Sequence, residues 1–573
     1  MTDPPYFHLG LFPQCGICTD TIFRHERTVA LYGDDVSSSF RGITRPFPFP
    51  QLGYCTTEVD GFWLCRRPGC RWCAASPEFA PFHWDCFEIF RIRCSFEWTD
   101  ALRRLWVAAA WRTPWRGASP TPFPIDAASS PSLESLCIIC ELPQLYKLPL
   151  ELLQMIQSYS EHALLWRGAI VCEFAARISN ITPSGLLTMP LRDVVFWERG
   201  KQPQVTSSLP PLPLIRIVVD AVGVSKVERI SVKPYKGECS SSCVYMVEQV
   251  QAISKYNAQF KNGSLRLELA SSLYSPAVWN TPNPPDLQLC RAYEKKTLLS
   301  YRRFFAVELA SIRGITFFFS SHQLYGVHIH RSSALCALPS LQRVPPRCRR
   351  SISWCYLPIA NHDRIVVLGV RISPNQHLNL LVRMEKAGDV IVGPYVPGPA
   401  EDLCLGWHAP ITLVHREPQE GQPVPYFGVY CHSPTRNEHP KRFQVYKPSS
   451  YPLGEDAYLS IASLEGIRSV EVFYVQNSRH CRGMVLYYQN GCCRAVGQCR
   501  IHVDSAKKFM QPSQICFRMD SVSGKHDSVL YAVQVDWRTD PQTYEEKGWN
   551  CKPLKGNLLY WYTYNSSFIV IEK

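Results

Sequence analysis

The chain has 573 residues, 46% of them hydrophobic and 19% charged, with a formal net charge of +13. Such a length exceeds one compact core and predicts about three or four domains, and the composition is that of a folded chain rather than a disordered one. No apolar run reaches eighteen residues, and Met1-Thr2-Asp3-Pro4-Pro5 carries no basic stretch followed by an apolar one, so neither a membrane helix nor a secretory signal is expected and the reading is intracellular, cytoplasmic or nuclear. Outside the N-terminal region most of the 25 cysteines occur singly in strand-like surroundings, as Cys290, Cys336, Cys355, Cys404 and Cys516 do. In a chain without an export signal they read as reduced, buried, small hydrophobes and not as a disulfide framework.

Residues 1–116 concentrate cysteine. The order is Cys15-x-x-Cys18, Cys55, Cys65, Cys70-x-x-Cys73, His83-x-x-Cys86 and Cys94. Zinc takes thiolate and imidazole ligands at four tetrahedral corners, and a two-residue gap lets one tight turn present two of them. Three such pairs predict a small domain that uses metal in place of a large core, with Cys15, Cys18, Cys65, Cys70, Cys73, His83 and Cys86 as ligands. A cross-braced partition puts Cys15, Cys18, Cys70 and Cys73 on one ion, and His83 and Cys86 with Cys65 or Cys55 on a second. A reduced cysteine-rich domain with one zinc or none is the competing reading. His8 and His25 read as surface histidines, and Asp85 and Glu88 as surface carboxylates. A helix over Trp98–Trp106, started by Thr99 or Asp100, closes the domain.

Residues 117–143 read as a linker, rich in Pro, Ser and Gly, with Cys137-x-x-Cys140 a weak further pair. Then comes Leu148-Pro149-Leu150-Glu151-Leu152-Leu153-Gln154-Met155-Ile156-Gln157-Ser158-Tyr159. Pro149 suits a first helical position and Glu151 the first turn. Leu152, Met155, Ile156 and Tyr159 fall at i, i+3, i+4, i+7 on one face, widened by Leu148 and Leu153. A second apolar set, Leu164, Leu165, Ile170, Val171 and Phe174, predicts a partner helix. The block Leu-Pro-x-Glu-Leu-Leu-x-x-Ile, with the Tyr and a second helix carrying Cys172, resembles an F-box over residues 144–185. Phe79-Ala80-Pro81-Phe82-His83-Trp84-Asp85-Cys86 is likewise similar to a Phe-His-x-x-Cys-Trp segment near the start of many fungal F-box proteins. The resemblance implies a helical module that docks on a Skp-family adaptor in a cullin complex through Leu148, Pro149, Leu152, Leu153, Ile156 and Tyr159.

Residues 186–213 read as a connector, with a domain change at Pro203–Pro213. From 214 to 573 short β-branched and aromatic runs separated by Gly, Pro, Asn and Ser predict a large, mainly β domain. A weak repeat runs through it: 313–326, 369–393 and 470–497 each hold a strand, a polar turn and a strand ending in Gly, with Asn490-Gly491 a strong hairpin signal. A prism, propeller or sandwich follows from such units. The basic knot Arg343–Arg350 reads as an exposed loop, and no nucleic-acid fold signature accompanies it. His328 and His330 share one face of a strand and read as part of a half-exposed β-face. Nucleophile elbow, phosphate loop, His-Glu-x-x-His and dinucleotide glycine patterns are all missing from the sequence, so no catalysis is expected.

The combined expectation is a multidomain α+β chain: a zinc-like Cys/His head, a helical F-box and a large β domain. Its expected role is that of a non-enzymatic substrate receptor of an SCF-type cullin–RING ubiquitin ligase, holding an unidentified target protein. The alternative is a lectin-like or protein-interaction module unrelated to ubiquitin.

Overall fold

A computed structural model describes residues 7–573 apart from 34–38, 68–69, 71, 74–75, 122, 124–125, 161, 207–211, 232–239, 241, 270–275, 296–301, 333–335, 376, 408–410, 419–420, 432–439, 455–456, 524–528 and 540–547. The chain divides into two compact units, residues 1–284 with 298–304, and residues 285–297 with 305–573. Strands dominate both, and among the described residues no helix is long and apolar enough to cross a membrane.

In the first unit two small sheets form the head. Strand β1 (Phe7–Gly10) runs parallel to β6 (Phe62–Cys65), which pairs antiparallel with β5 (Cys55–Val59). Strand β2 (Arg27–Gly33), apolar through Val29-Ala30-Leu31, is central to the other, between β3 (Phe40–Ile43) or β4 (Phe47–Pro48) and β7 (Glu78–His83). Helix α1 (Trp84–Arg93) leaves β7 directly. Helix α2 (Trp98–Ala110) starts at the expected residue and runs one turn longer, but its N-cap is Glu97 and not Thr99 or Asp100: the Glu97 side chain accepts from the Asp100 N–H at 3.1 Å.

The stretch 117–143 is not an open linker. Ala127–Ser129 forms a 3-10 turn, α3 spans Leu133–Ile139, and Ala127, Ala128, Leu133, Leu136 and Cys137 are buried. Small residues that suggested flexibility instead allow close packing against α4 (Leu150–Tyr159) and α5 (Leu164–Ser179), around Leu153, Trp166 and Ala169. The Trp166 indole N–H donates to Ser160 Oγ at 3.0 Å and fixes the turn between α4 and α5. Pro149 takes the N-cap with an extended ψ of 148°, one residue before the position the sequence suggested.

Helix α5 has a second buried face. Val171, Phe174, Ala175 and Ile178 join the apolar core of the Cys/His head, where the Phe174 ring lies 6.2 Å from that of Phe90 and 5.2 Å from the Arg112 guanidinium carbon. The head and the three-helix cluster therefore share one helix and are not separate domains at 116.

The expected domain change at 203–213 is also absent from the fold. Strands β8 (Leu187–Pro190), β9 (Val194–Glu198) and β10 (Gln204–Val205) already belong to β structure that continues through β11 (Leu214–Asp220), β12 (Gly223–Ile230), β13 (Val244–Gln249), β14 (Asn257–Lys261), β15 (Ser264–Glu268) and β16 (Ala277–Trp279). β9 pairs with both β10 and β12 across the proline zone, whose Leu209-Pro210-Pro211 lies outside the described residues. Pro203 and Pro213 stand just before β10 and β11, where no ladder N–H is needed. A part-buried ion pair, Arg266 Nη1 to Glu78 Oε2 at 2.6 Å, ties β15 to β7.

The second unit packs antiparallel meanders around one apolar core that includes Ile315, Phe317, Val370, Leu380, Val470, Leu486 and Tyr560. The three expected repeats are hairpins: Gly314–Ser320 with Gln323–His330, Ile365–Ile372 with Leu378–Met384, and Ile467–Tyr474 with His480–Tyr488. At Asn490-Gly491 the glycine has φ 83°, as a tight turn requires. Three expectations fail here. Cys516 is not a free thiol but is joined to Cys551, its antiparallel register partner, in a disulfide. The knot Arg343–Arg350 is not a plain loop: Pro346–Arg349 is one helical turn, and Arg349 Nε donates to the Val344 carbonyl at 2.6 Å. His328 and His330 are buried, bonded to Ser340 Oγ at 2.8 Å and Thr316 Oγ1 at 2.7 Å.

Two outcomes follow. Phe174→Ala should cost about 3–5 kcal/mol in denaturant unfolding of the first unit, because Phe174 is 3% exposed in the shared core; a loss below about 1 kcal/mol would mean the head does not rely on α5. In the second unit, buried His415 stacks on Phe305 at 5.1 Å, and burial lowers its pKa from 6.5 to about 4. The folded state keeps the ring neutral, so its contribution is complete above about pH 6.5 and is lost as pH falls toward 4. The gap between those values corresponds to about 3 kcal/mol. A stability–pH profile of the full chain should fall across that window and be flatter in His415→Phe.

Candidate metal centres

Two groups of four donor side chains assemble in the head, each with its ligand atoms within 4.8 Å of one another. One comprises His8, Cys65, Cys70 and Cys73; the other comprises Cys15, Cys18, His83 and Cys86. Either group could hold a metal ion.

The second group is fully buried. Cys15-Gly16-Ile17-Cys18 forms a tight knuckle in which the Thr19 N–H donates to the Cys15 carbonyl at 3.0 Å and the Gly16 N–H to the Pro81 carbonyl of β7 at 2.8 Å. Gly16 is required by space: a Cβ there would stand 2.7 Å from the Phe82 ring and 2.9 Å from Ala109 Cβ. The β2–β7 ladder, with Thr28 opposite His83, fixes His83 at the end of the strand, and Cys86 follows in the first turn of α1, where the helix dipole favours a thiolate. His83 Nδ1 lies 3.4 Å from Cys18 Sγ and 3.7 Å from Cys86 Sγ. With metal bonds of about 2.3 Å to sulfur and about 2.0 Å to nitrogen, a tetrahedral zinc ion sets its S and N ligands about 3.6 Å apart. The other ring nitrogen, Nε2, is 3.5 Å from Glu26 Oε2, and that carboxylate is itself anchored by the Phe23 N–H at 2.6 Å. A carboxylate behind the imidazole selects the tautomer whose Nδ1 lone pair faces the thiols.

The electrostatics are those of a ligand set that cannot ionise fully on its own. Burial alone would raise the Cys15 thiol, but hydrogen bonds from Cys18 and Cys86 and the charge of His83 bring it well below the ordinary thiol value. Burial and the neighbouring Cys15 push Cys18 up, and hydrogen bonds with Cys15 and Cys18 push Cys86 up. One thiolate is stabilised at the expense of the others, since like charges at this spacing resist joint ionisation. The half-buried Arg112 donates from Nη2 to the Ile17 carbonyl inside the knuckle at 2.8 Å, so a permanent cation stands beside the quartet. A dication with three thiolates would leave one net negative charge for it to offset.

The first group is half-exposed except for Cys65. The parallel β1–β6 pairing sets Gly10 opposite Cys65, and the Leu11 N–H donates to the Cys65 carbonyl at 3.0 Å. Cys70 Sγ is 3.4 Å from His8 Nδ1. The His8 N–H donates to Ser76 Oγ at 2.7 Å, and Ser76 Oγ donates to the Trp72 carbonyl at 2.9 Å, closing the Cys70–Cys73 turn over β1. A hydrogen bond from Cys73 holds the Cys65 thiol at about 4, and the same interaction raises Cys73.

All seven expected metal-site residues fall in these two groups, but the partition differs from the expected one. Cys15 and Cys18 join His83 and Cys86, not Cys70 and Cys73, because the knuckle bonds to β7. Cys65 joins Cys70 and Cys73. His8 is a donor and not a surface histidine; the sequence offered only its place in an apolar run ahead of the first cysteine pair. Along the chain the groups interleave as 8, then 15 and 18, then 65, 70 and 73, then 83 and 86.

The helix expected to bind a partner divides its residues between two roles. Leu153 is 5% exposed in the helical core, and Leu148 and Ile156 pack against that core half-buried. Leu152 (40%), Met155 (50%) and Tyr159 (88%) face outward, with Leu150 and Pro149. No family model and no curated protein matches the chain.

Glu26→Ala should weaken metal retention at the buried quartet by about 10–100-fold in chelator competition, the usual effect of losing a carboxylate behind a histidine ligand. Unchanged retention would show that Glu26 does not orient His83.

Proposed function

We propose that the chain is a substrate-receptor subunit of an SCF-type cullin–RING ubiquitin ligase. On this reading the α4 surface docks on a Skp-family adaptor, the strand-rich remainder recruits a target protein, and the Cys/His head is held by two zinc ions. The observation that carries the reading is the surface of α4: a short proline-started helix leaves Leu152, Met155 and Tyr159 in water although Leu153 beside them is buried. Elsewhere in the helical cluster Ile138, Ile139, Leu142, Leu150 and Leu164 are exposed as well, and large apolar side chains left in water favour a protein-binding role. Leu152 and Tyr159 on the α4 surface belong to the set that resembles the F-box motif, whereas Leu148, Leu153 and Ile156 of that set pack against the helical core. Zinc is favoured by the donor chemistry, three thiolates and one imidazole in each quartet.

Such a receptor makes and breaks no bonds. It raises the local concentration of target lysines near a charged conjugating enzyme, and the gain comes from proximity. The head contributes stiffness: α5 links α4 to the head's core, so the docking helix is presented on a metal-braced support.

Co-purification of the full chain with a Skp-family protein tests the reading. Leu152→Ala with Tyr159→Ala should abolish the association while shifting stability by no more than about 0.5 kcal/mol each, as exposed positions do. Leu153→Ala should instead destabilise by about 2–5 kcal/mol. Failure of the unaltered chain to bind any Skp-family adaptor would sink the proposal. Metal analysis of the same preparation should return two zinc ions per chain.

A further inference from the structure

The two quartets are not equivalent. The buried one groups three thiols and one imidazole, with no further thiol in the group among the described residues. The half-exposed one has five: beside His8, Cys65, Cys70 and Cys73 stands Cys55, whose Sγ is 3.9 Å from His8 Nδ1. Cys55 is also the antiparallel register partner of Cys65 across β5 and β6. Facing residues in an antiparallel pair have Cα atoms about 4.5–5.5 Å apart, inside the span of about 4.4–6.8 Å that a disulfide bridges. The same relation is already a disulfide elsewhere in the chain, where Cys516 faces Cys551 across an antiparallel register with a Cα separation of 4.0 Å.

We infer that the His8–Cys65–Cys70–Cys73 centre is an oxidant-releasable zinc site in which Cys55 is a spare thiol that captures Cys65 when a hydroperoxide reacts. This rests on the reading of both quartets as zinc sites. The sulfur of zinc-bound Cys65 attacks the peroxide oxygen; the O–O bond breaks, hydroxide leaves, and Cys65 becomes a sulfenic acid. The Cys55 thiol then displaces the sulfenic oxygen as water, forming the Cys55–Cys65 disulfide. One thiolate, one thiol and one hydrogen peroxide give one disulfide, one water and one hydroxide; both cysteines are oxidised by one electron each and the peroxide is reduced by two. With Cys65 withdrawn the ion keeps only His8, Cys70 and Cys73, and it leaves. The buried centre, without a spare thiol and closed to solvent, keeps its metal through the same exposure.

The full chain, purified reduced and without oxygen, is treated with limiting hydrogen peroxide while zinc release is followed with a chromogenic chelator and disulfides are mapped by peptide mass. Two ions per chain at the start, release of one, and a Cys55–Cys65 linked peptide are expected. Cys55→Ser should still hold two ions and release the first about tenfold more slowly, because the sulfenic acid has no thiol to capture it. Loss of an ion from Cys55→Ser before any oxidant would overturn the inference, since Cys55 would then be an obligate ligand. Equal release from Cys55→Ser and the unaltered chain would overturn it too. Fewer than two ions in the unaltered chain at the start would overturn the zinc reading itself, and this inference with it.

Discussion

The constraint on which the first unit depends is charge in a place without water. Cys15, Cys18, His83 and Cys86 are buried with their donor atoms in mutual contact. Without a cation among them only one of the thiols ionises readily, and the others are pushed up. Around this centre the chain has committed its close-packed features: a glycine with no room for a Cβ, a strand end that aims the imidazole, a helix N-terminus behind Cys86, a carboxylate behind His83, and a half-buried arginine at the knuckle. A dication resolves the electrostatic conflict and leaves Arg112 with a single negative charge to balance.

That centre reaches the three-helix cluster through α5. One face of the helix closes on Leu136, Leu153 and Trp166's neighbours, the other on Phe90 and the core of the head. Arg112 is the hinge of the coupling: its Nη2 holds the knuckle carbonyl of Ile17, and its guanidinium lies over the Phe174 ring of α5. Arg112 thus touches both the knuckle of the buried quartet and the helix that packs beside α4.

Local signals were legible and long-range ones were not. Pairs of donors two residues apart, the apolar periodicity of α4 and α5, and the hairpins of the second unit depend on short spacings, and the sequence carries them directly. The pairing of the quartets depends on β1 lying parallel to β6 and on β2 lying beside β7, contacts between segments about fifty residues apart, and no local spacing encodes them. His8 was unrecognised for that reason. The stretch 117–143 misled because alanine and serine, which mark flexible linkers, are also the residues that let a 3-10 turn pack close to a helix. The lack of an export signal points to a free thiol at Cys516, whereas the register that sets it against Cys551 is a property of the fold.

The two leucines at 152 and 153 show how far a motif can be taken. The sequence gives them equal weight, as neighbours in a Leu-Leu pair. The helix turns them about 100° apart, so one reaches Trp166 and Ala169 in the core while the other faces water. A substitution that tests docking must therefore be made at Leu152 and not at Leu153, where loss of binding and loss of fold would look the same. Exposure, which only the structure supplies, sorts the motif residues: Pro149, Leu152 and Tyr159 are the part available to a partner, and Leu153 with Leu148 and Ile156 is the part that holds that surface in shape.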